Sequence, residues 1–96
     1  NNKFEDLTKQ DIADLFDEQD MKEVNADISI VDMVISVGAA SSKREAREFI
    51  TSGAVSLNGN KITDVNQTIP ADMFIDNTYV IIKRGKKNYY VGEKLN

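Results

Sequence analysis

Hydrophobic residues follow a helical spacing up to Gly53 and a strand spacing after it, and this change constrains the fold more than any other feature of the chain. On the amino-terminal side, two short helical segments each begin at a serine and end at a glycine, which are favoured cap residues. On the carboxyl-terminal side, Val55 and Leu57 flank a polar residue and lead into Asn58-Gly59, the preferred two-residue hairpin turn. Paired helices followed by a hairpin predict an α+β domain.

The first helix of this pair is predicted to start after Ser29 and to stop at Gly38, and its almost continuous apolar residues indicate burial on more than one side. The second helix has Ser42 and Glu45 in the spacing of a full capping box, and it ends at Gly53. Because so few residues separate the two helices, we expect them to pack as a pair similar to a helix-turn-helix.

The amino-terminal part of the chain is strongly acidic. Residues 1–6 are predicted to be a linker, and a capping-box-like start at Thr8 opens an amphipathic helix over residues 8–18. Residues 19–27 are polar and are expected to be mostly unstructured.

The carboxyl-terminal part is predicted to contain a loop over residues 64–77 and two more strands, at residues 79–82 and 89–91. We therefore divide the chain into residues 1–27, a linker with an acidic helix, and residues 28–96, a compact domain. In that domain, short helices are expected to pack on a small antiparallel sheet.

The composition argues against catalysis by this chain. Its 96 residues contain no Cys, which excludes disulfides and a Cys nucleophile, and no His, the commonest general base and metal ligand. The carboxylates form no convincing acid–base pair, and Asp64, Asp72 and Asp76 lack the Gly and Glu spacing of a calcium loop. No apolar run approaches the roughly 20 residues that span a bilayer. We expect no catalytic residue, no metal, no cofactor and no membrane partner.

The net charge of −4 conceals two regions of opposite sign. Residues 1–32 carry three Lys against ten Asp and Glu, whereas residues 33–96 carry nine Lys and Arg against six acids. Because charges more than about 10 Å apart are screened at moderate salt, a local basic surface can exist on an acidic chain.

The second helix of the pair carries a basic face beside its core face. At about 100° per residue, the core face is formed by Ala46, Phe49 and Ile50. The cationic face is formed by Lys43, Arg44 and Arg47. Cations at a helix start oppose the helix dipole, and with the Ser42 cap they suit an external phosphate. The alternative is a solvated face whose partners are Glu45 and Glu48.

A second group of cations surrounds a predicted turn near the end of the chain. It comprises Lys83, Arg84, Lys86 and Lys87, and tyrosines stand beside it at positions 79, 89 and 90. Clustered cations repel one another unless a polyanion neutralises them, and tyrosines can stack on bases. The alternative is a soluble turn with its tyrosines in the core. Asn58 in the hairpin turn and Lys61 on the returning strand are further candidates for contact with the same polyanion.

Three segments together resemble the S-four RNA-binding domain. They are Ile30-Val31-Asp32-Met33-Val34 with Gly38, Ser41-Ser42-Lys43-Arg44-Glu45-Ala46-Arg47-Glu48-Phe49-Ile50, and Gly53-Ala54-Val55-Ser56-Leu57-Asn58-Gly59. The flanks, at residues 7–16 and 84–90, resemble those of the C-terminal domain of bacterial tyrosyl-tRNA synthetases. The chain departs from many relatives at Val31 or Asp32 and at Ala54, and neither departure removes a cation.

The resemblance implies an α+β S-four fold and a non-catalytic domain that binds tyrosine tRNA. It implies phosphate and sugar contacts at the long variable arm and the anticodon stem, made by the candidate residues named above. Because the chain starts at Asn1 rather than Met, we expect a piece of a longer protein whose catalytic domain is a second partner. We further expect a monomeric isolated domain, a homodimeric parent and a cytoplasmic location.

Two other interpretations remain open at this point. The chain could be an S-four domain of another RNA-binding or RNA-modifying protein, which would bind RNA without preferring tyrosine tRNA. It could also be a protein-interaction module that uses the acidic helix, and such a module would bind no RNA even at low salt.

Overall fold

The computed structural model describes residues 8–16, 21–86 and 88–95. The described elements, in chain order, are α1 (Lys9–Leu15), β1 (Met21–Asn25), β2 (Ile28–Ser29), α2 (Ile30–Ser36), α3 (Lys43–Thr51), β3 (Val55–Leu57), β4 (Asn60–Lys61), β5 (Thr68–Ile69), a 3-10 helix (Ala71–Met73), β6 (Tyr79–Arg84) and β7 (Asn88–Leu95). The predicted α+β class is confirmed.

Five of the strands form one sheet in the order β1-β7-β6-β3-β4. The neighbours from β7 to β4 are antiparallel, as predicted, but β1 runs parallel to β7, so the sheet is mixed. The strands β2 and β5 pair separately as a small antiparallel ladder.

Helices cover both faces of the sheet. On one face, α2 and α3 bury Met33 and Ile50 against Val80 and Ile82. On the other face, α1 buries Ile12 against neighbours that include Ile81 and Val91 of the sheet. Because both faces are covered, β6 has three consecutive buried residues at positions 80–82 instead of an alternating pattern.

The predicted helix caps are largely confirmed. The Ser29 hydroxyl accepts a hydrogen bond from Asp32 N at 3.1 Å, and the Ser42 hydroxyl accepts one from Glu45 N at 3.1 Å. The prediction of a full capping box at Ser42 is wrong in one of its two hydrogen bonds, the one from the Ser42 backbone N–H to the Glu45 carboxylate. The Glu45 carboxylate accepts from the backbone N and the hydroxyl of Ser41, at 2.8 and 3.1 Å, and so holds the residue before the cap.

The amino-terminal predictions are confirmed in part. The Thr8 capping box is present, with Asp11 as its partner, and α1 ends at Leu15. The prediction that residues 19–27 are mostly unstructured is wrong, because Met21–Asn25 form β1 and Val24 is buried in the core. The predicted linker at residues 1–6 lies outside the described residues, and the domain division after residue 27 stays a prediction.

The predicted loop over residues 64–77 contains more structure than its sequence indicates. Ile69 of β5 is opposite Ile28 of β2, and Ile69 is fully buried. The 3-10 helix follows Pro70 directly. The closing strand is also longer than predicted, since β7 reaches Leu95 by pairing with β1.

Candidate nucleic-acid interface

At the amino-terminal end of α3, Lys43 and Arg47 line a groove of about 200 Å³. The groove lies between α3, the start of α2 and the turn at residues 65–66, and Ser29, Asp32 and Asn66 also line it. Lys43 and Arg47 meet here because one turn of helix separates them, so their side chains lie on the same side of α3.

The three cations predicted on this face have different surroundings. The Arg44 side chain is 88% exposed, and its Nε lies 3.8 Å from the Glu48 carboxylate. Lys43 and Arg47 are also exposed, but neither has an ion pair with any residue that the structure describes. Of the two glutamates predicted as partners of this face, Glu48 pairs with Arg44. Glu45 instead accepts a hydrogen bond from Ser41, so Arg44 is the only one of the three cations with a glutamate partner among the described residues.

A second group of polar residues lies on the sheet, in what we call the sheet-face row: Lys61, Ser56, Lys83 and Tyr89. Lys61 is opposite Ser56, Ser56 is opposite Lys83, and Lys83 is opposite Tyr89. Directly opposed residues project from the same face of a sheet. Their neighbours Val55 and Leu57 are buried under α2 and α3, so the row lies on the α1 side of the sheet.

Arg84, another predicted contact residue, is largely engaged within the protein. Its guanidinium carbon lies 4.9 Å from the centroid of the Phe49 ring, and Nη2 donates to the Tyr90 hydroxyl at 3.3 Å. Its Nε is buried and has no hydrogen-bond partner among the described residues. Arg84 thus connects β6 to α3 and β7.

Asn58 is likewise committed to the fold. It adopts φ of 49° in the hairpin turn, and its side-chain Nδ2 donates to the carbonyl of Met73 at 2.7 Å. Its Oδ1 accepts from Ile81 N at 2.9 Å. Because the amide is occupied on both sides, it fixes the hairpin against β6 and the 3-10 helix.

The turn between β6 and β7 lies at the carboxyl-terminal end of α3. Gly85, with φ of 74°, donates its backbone N–H to the carbonyl of Ala54 at 2.8 Å, and Lys86 beside it is exposed. Lys61 reaches the same end, because its Nζ lies 3.5 Å from the position that a Cβ on Gly53 would occupy. Lys87 lies outside the described residues.

The predicted cations therefore flank both ends of α3, which is roughly 13 Å long. The tyrosines differ from one another in exposure: Tyr79 and Tyr90 are half-buried and pack against the two cores, whereas Tyr89 is 38% exposed. The core alternative is thus confirmed for Tyr79 and Tyr90, whereas Tyr89 is the most exposed of the three.

No group of three or more His, Cys, Asp or Glu side chains among the described residues has the arrangement of a metal site. No helix within the described ranges has the length and apolarity needed to cross a membrane.

The chain matches a known protein family over most of its length. Residues 11–91 match the model of the tyrosine–tRNA ligase SYY-like C-terminal domain. The chain belongs to this family. The match includes α2, α3 and the hairpin, which carried the resemblance in the sequence, and it also includes most of α1 and the first half of β7.

Similar proteins agree with the family. The chain is 46% identical over 69 residues to the tyrosine–tRNA ligase of Mycoplasma mycoides subsp. mycoides, covering 72% of the chain and 17% of the ligase. It is 40% identical over 87 residues to that of Ligilactobacillus salivarius, covering 90% of the chain and 21% of the ligase.

A solution structure of a tyrosyl-tRNA synthetase C-terminal domain is similar along almost its whole length. The TM-score is 0.74 at 31% sequence identity, and the match covers 99% of this chain and 97% of that one. The S-four-like α+β fold is therefore shown. The chain spans about a fifth of the length of the ligases it matches, and the catalytic domain is absent from its 96 residues.

Proposed function

We propose that this chain is the tRNA-binding domain of a tyrosyl-tRNA synthetase, and that it grips tyrosine tRNA by phosphate and sugar contacts. One observation carries the proposal. The chain has sixteen acidic residues, yet Lys43 and Arg47 share a groove without an ion pair to any described residue. Cations held together without a partner fit a polyanion, and RNA backbone is one.

The structure supports a ranking of the candidate residues. Lys43, Arg47, Lys61, Lys83 and Lys86 have no ion pair among the described residues and are the main proposed contacts. Ser42 stays a candidate because it caps the amino-terminal end of α3. Lys87 stays a candidate because it belongs to the same basic segment of the sequence as Lys86. Arg44 is weaker because Glu48 faces it, and Arg84 and Asn58 are proposed to act by holding the surface in place.

The site on tRNA is proposed to be the long variable arm with the adjacent anticodon stem. The support is the family membership together with the placement of cations at both ends of α3, which would follow an RNA backbone across the helix. We further propose that the whole protein is a cytoplasmic tyrosine–tRNA ligase that acts as a homodimer, in which this domain contacts the catalytic domain.

The proposal is tested by titrating the 96-residue chain with tyrosine tRNA and with a tRNA that lacks a long variable arm, at several salt concentrations. We expect tighter binding of tyrosine tRNA, with affinity that falls steeply as salt rises. Equal binding of both tRNAs would favour an S-four domain with another RNA target. No binding even at low salt would reject an RNA-binding role and favour a protein-interaction module.

A further inference from the structure

We propose that the sheet-face row is a subsite for one unpaired nucleotide, with the base stacked on the ring of Tyr89. The inference rests on the proposed tRNA-binding function and adds to it the kind of nucleotide that this surface takes. A paired RNA strand would meet the cations of the domain but would gain nothing from the ring.

The sheet-face row provides both an aromatic ring for the base and cations for the phosphates. Tyr89 is 38% exposed, and Lys83 Nζ lies over its ring at 5.6 Å from the ring centroid. Lys61 stands two strands further along the row, so that the row extends across roughly 14 Å of the sheet. An exposed aromatic ring beside cations is how many proteins hold single-stranded nucleic acid, because the ring stacks on a base while the cations reach the phosphates.

Ser56 makes the middle of the row accessible. It has the smallest side chain of the four and stands between the two lysines. A sugar can therefore approach the sheet at this point while its phosphate meets either ammonium group.

The neighbouring part of the sheet limits the subsite to a short stretch of RNA. Two residues along their strands, Ile81 and Val91 face the same side as the row, and they are covered by Ile12 of α1. The exposed side chains of Asp11 and Asp14 on α1 would repel further phosphates. The open surface thus suits one nucleotide whose base leaves the stack, as occurs in loops and bulges of RNA.

Two substitutions at Tyr89 test the stacking. We expect Tyr89→Leu to weaken tyrosine tRNA binding by about 5- to 150-fold, the effect of losing one stacked base. Tyr89→Phe retains a ring of the same shape and should retain the affinity. The slope of log affinity against log salt should be the same in both variants, because no phosphate contact is lost.

A blunt RNA duplex without unpaired bases is the matched control. The wild-type chain, Tyr89→Leu and Tyr89→Phe should bind it equally. A second measurement does not depend on the leucine variant folding. The chain has three Tyr and no Trp, so a base stacked on Tyr89 should quench tyrosine emission in the wild type, and less in Tyr89→Phe.

The outcomes separate this subsite from the proposed function. If the wild-type chain and a folded Tyr89→Leu bind tyrosine tRNA equally, or if the leucine variant loses as much affinity for the blunt duplex, the subsite is wrong and tRNA binding stands. Identical quenching in the wild type and Tyr89→Phe would also overturn the subsite. A wild-type chain that binds no tRNA would contradict the proposed function itself.

Discussion

At the scale of single residues, two basic side chains from the same segment have different surroundings. Arg84 and Lys86 stand two positions apart in one basic segment, yet the Arg84 guanidinium packs on Phe49 while Lys86 is exposed. The contact with Phe49 joins residues 35 positions apart, and no local pattern indicates such a contact. Asn58 is a similar case, since its two side-chain partners come from distant parts of the chain.

Arg84 is predicted to contribute to stability rather than to phosphate binding. Replacing it in Arg84→Met should lower the free energy of unfolding by about 1–2 kcal/mol, because the ring contact and the hydrogen bond to Tyr90 are lost. Lys86→Met is the matched control and should change stability little. Urea denaturation measures both. A folded Arg84→Met with wild-type stability and a flattened salt dependence of tRNA binding would show that Arg84 contacts RNA instead.

Asn58 is predicted to stabilise the hairpin through its amide. Asn58→Gly keeps a residue that tolerates the positive φ but removes both hydrogen bonds, leaving Met73 O and Ile81 N without their side-chain partner. We expect a loss of about 1–3 kcal/mol in the free energy of unfolding. Asn60→Ala, at an exposed neighbouring position, should cost much less. Equal effects of the two substitutions would contradict the role assigned to the amide.

At the scale of elements, the caps and turns could be predicted because their residues are neighbours in sequence. The structure has the predicted helix caps at Ser29 and Ser42 and the predicted hairpin turn at Asn58-Gly59. The strands β1 and β5 could not be predicted, since β1 pairs with β7 about 70 residues away and β5 has only two residues. Two residues are too few to display the alternation of apolar and polar side chains by which a strand is predicted. The pairing of β1 with a strand so distant in sequence leaves no local sequence signal.

The helix α1 is predicted to matter for stability and not for RNA contact. Deleting residues 1–20 removes Ile12, which is fully buried against Ile81 and Val91, so the melting temperature should fall. Binding of tRNA at low salt should stay equal or improve, because exposed acids are removed. Ile12→Ala is the control that removes the packing and keeps the acids, and it should lower the melting temperature alone. A folded deletion variant that binds tRNA much more weakly would place α1 in the interface.

At the scale of the whole molecule, the candidate site is divided between the two ends of α3. Lys43 lies in the groove at the amino-terminal end, while Lys61 and the turn with Lys86 lie at the other end. One tRNA that contacts both ends should bind with one-to-one stoichiometry. The losses of binding free energy from Lys43→Ala and Lys86→Glu should then add, because sites this far apart rarely couple. Two bound RNAs per chain would show that the ends act separately.

The salt dependence of tRNA binding distinguishes a phosphate-binding groove at α3 from a solvated surface. We expect the combined variant Lys43→Ala and Arg47→Ala to bind tyrosine tRNA more weakly and to flatten the slope of log affinity against log salt by about 1.4–1.8, the value for two lost phosphate contacts. Arg44→Ala, on the same helix but facing Glu48, is the control and should change the slope far less. If the double variant folds and binds with the affinity and slope of the wild-type chain, the α3 groove is a solvated surface and the proposed grip on tRNA is wrong.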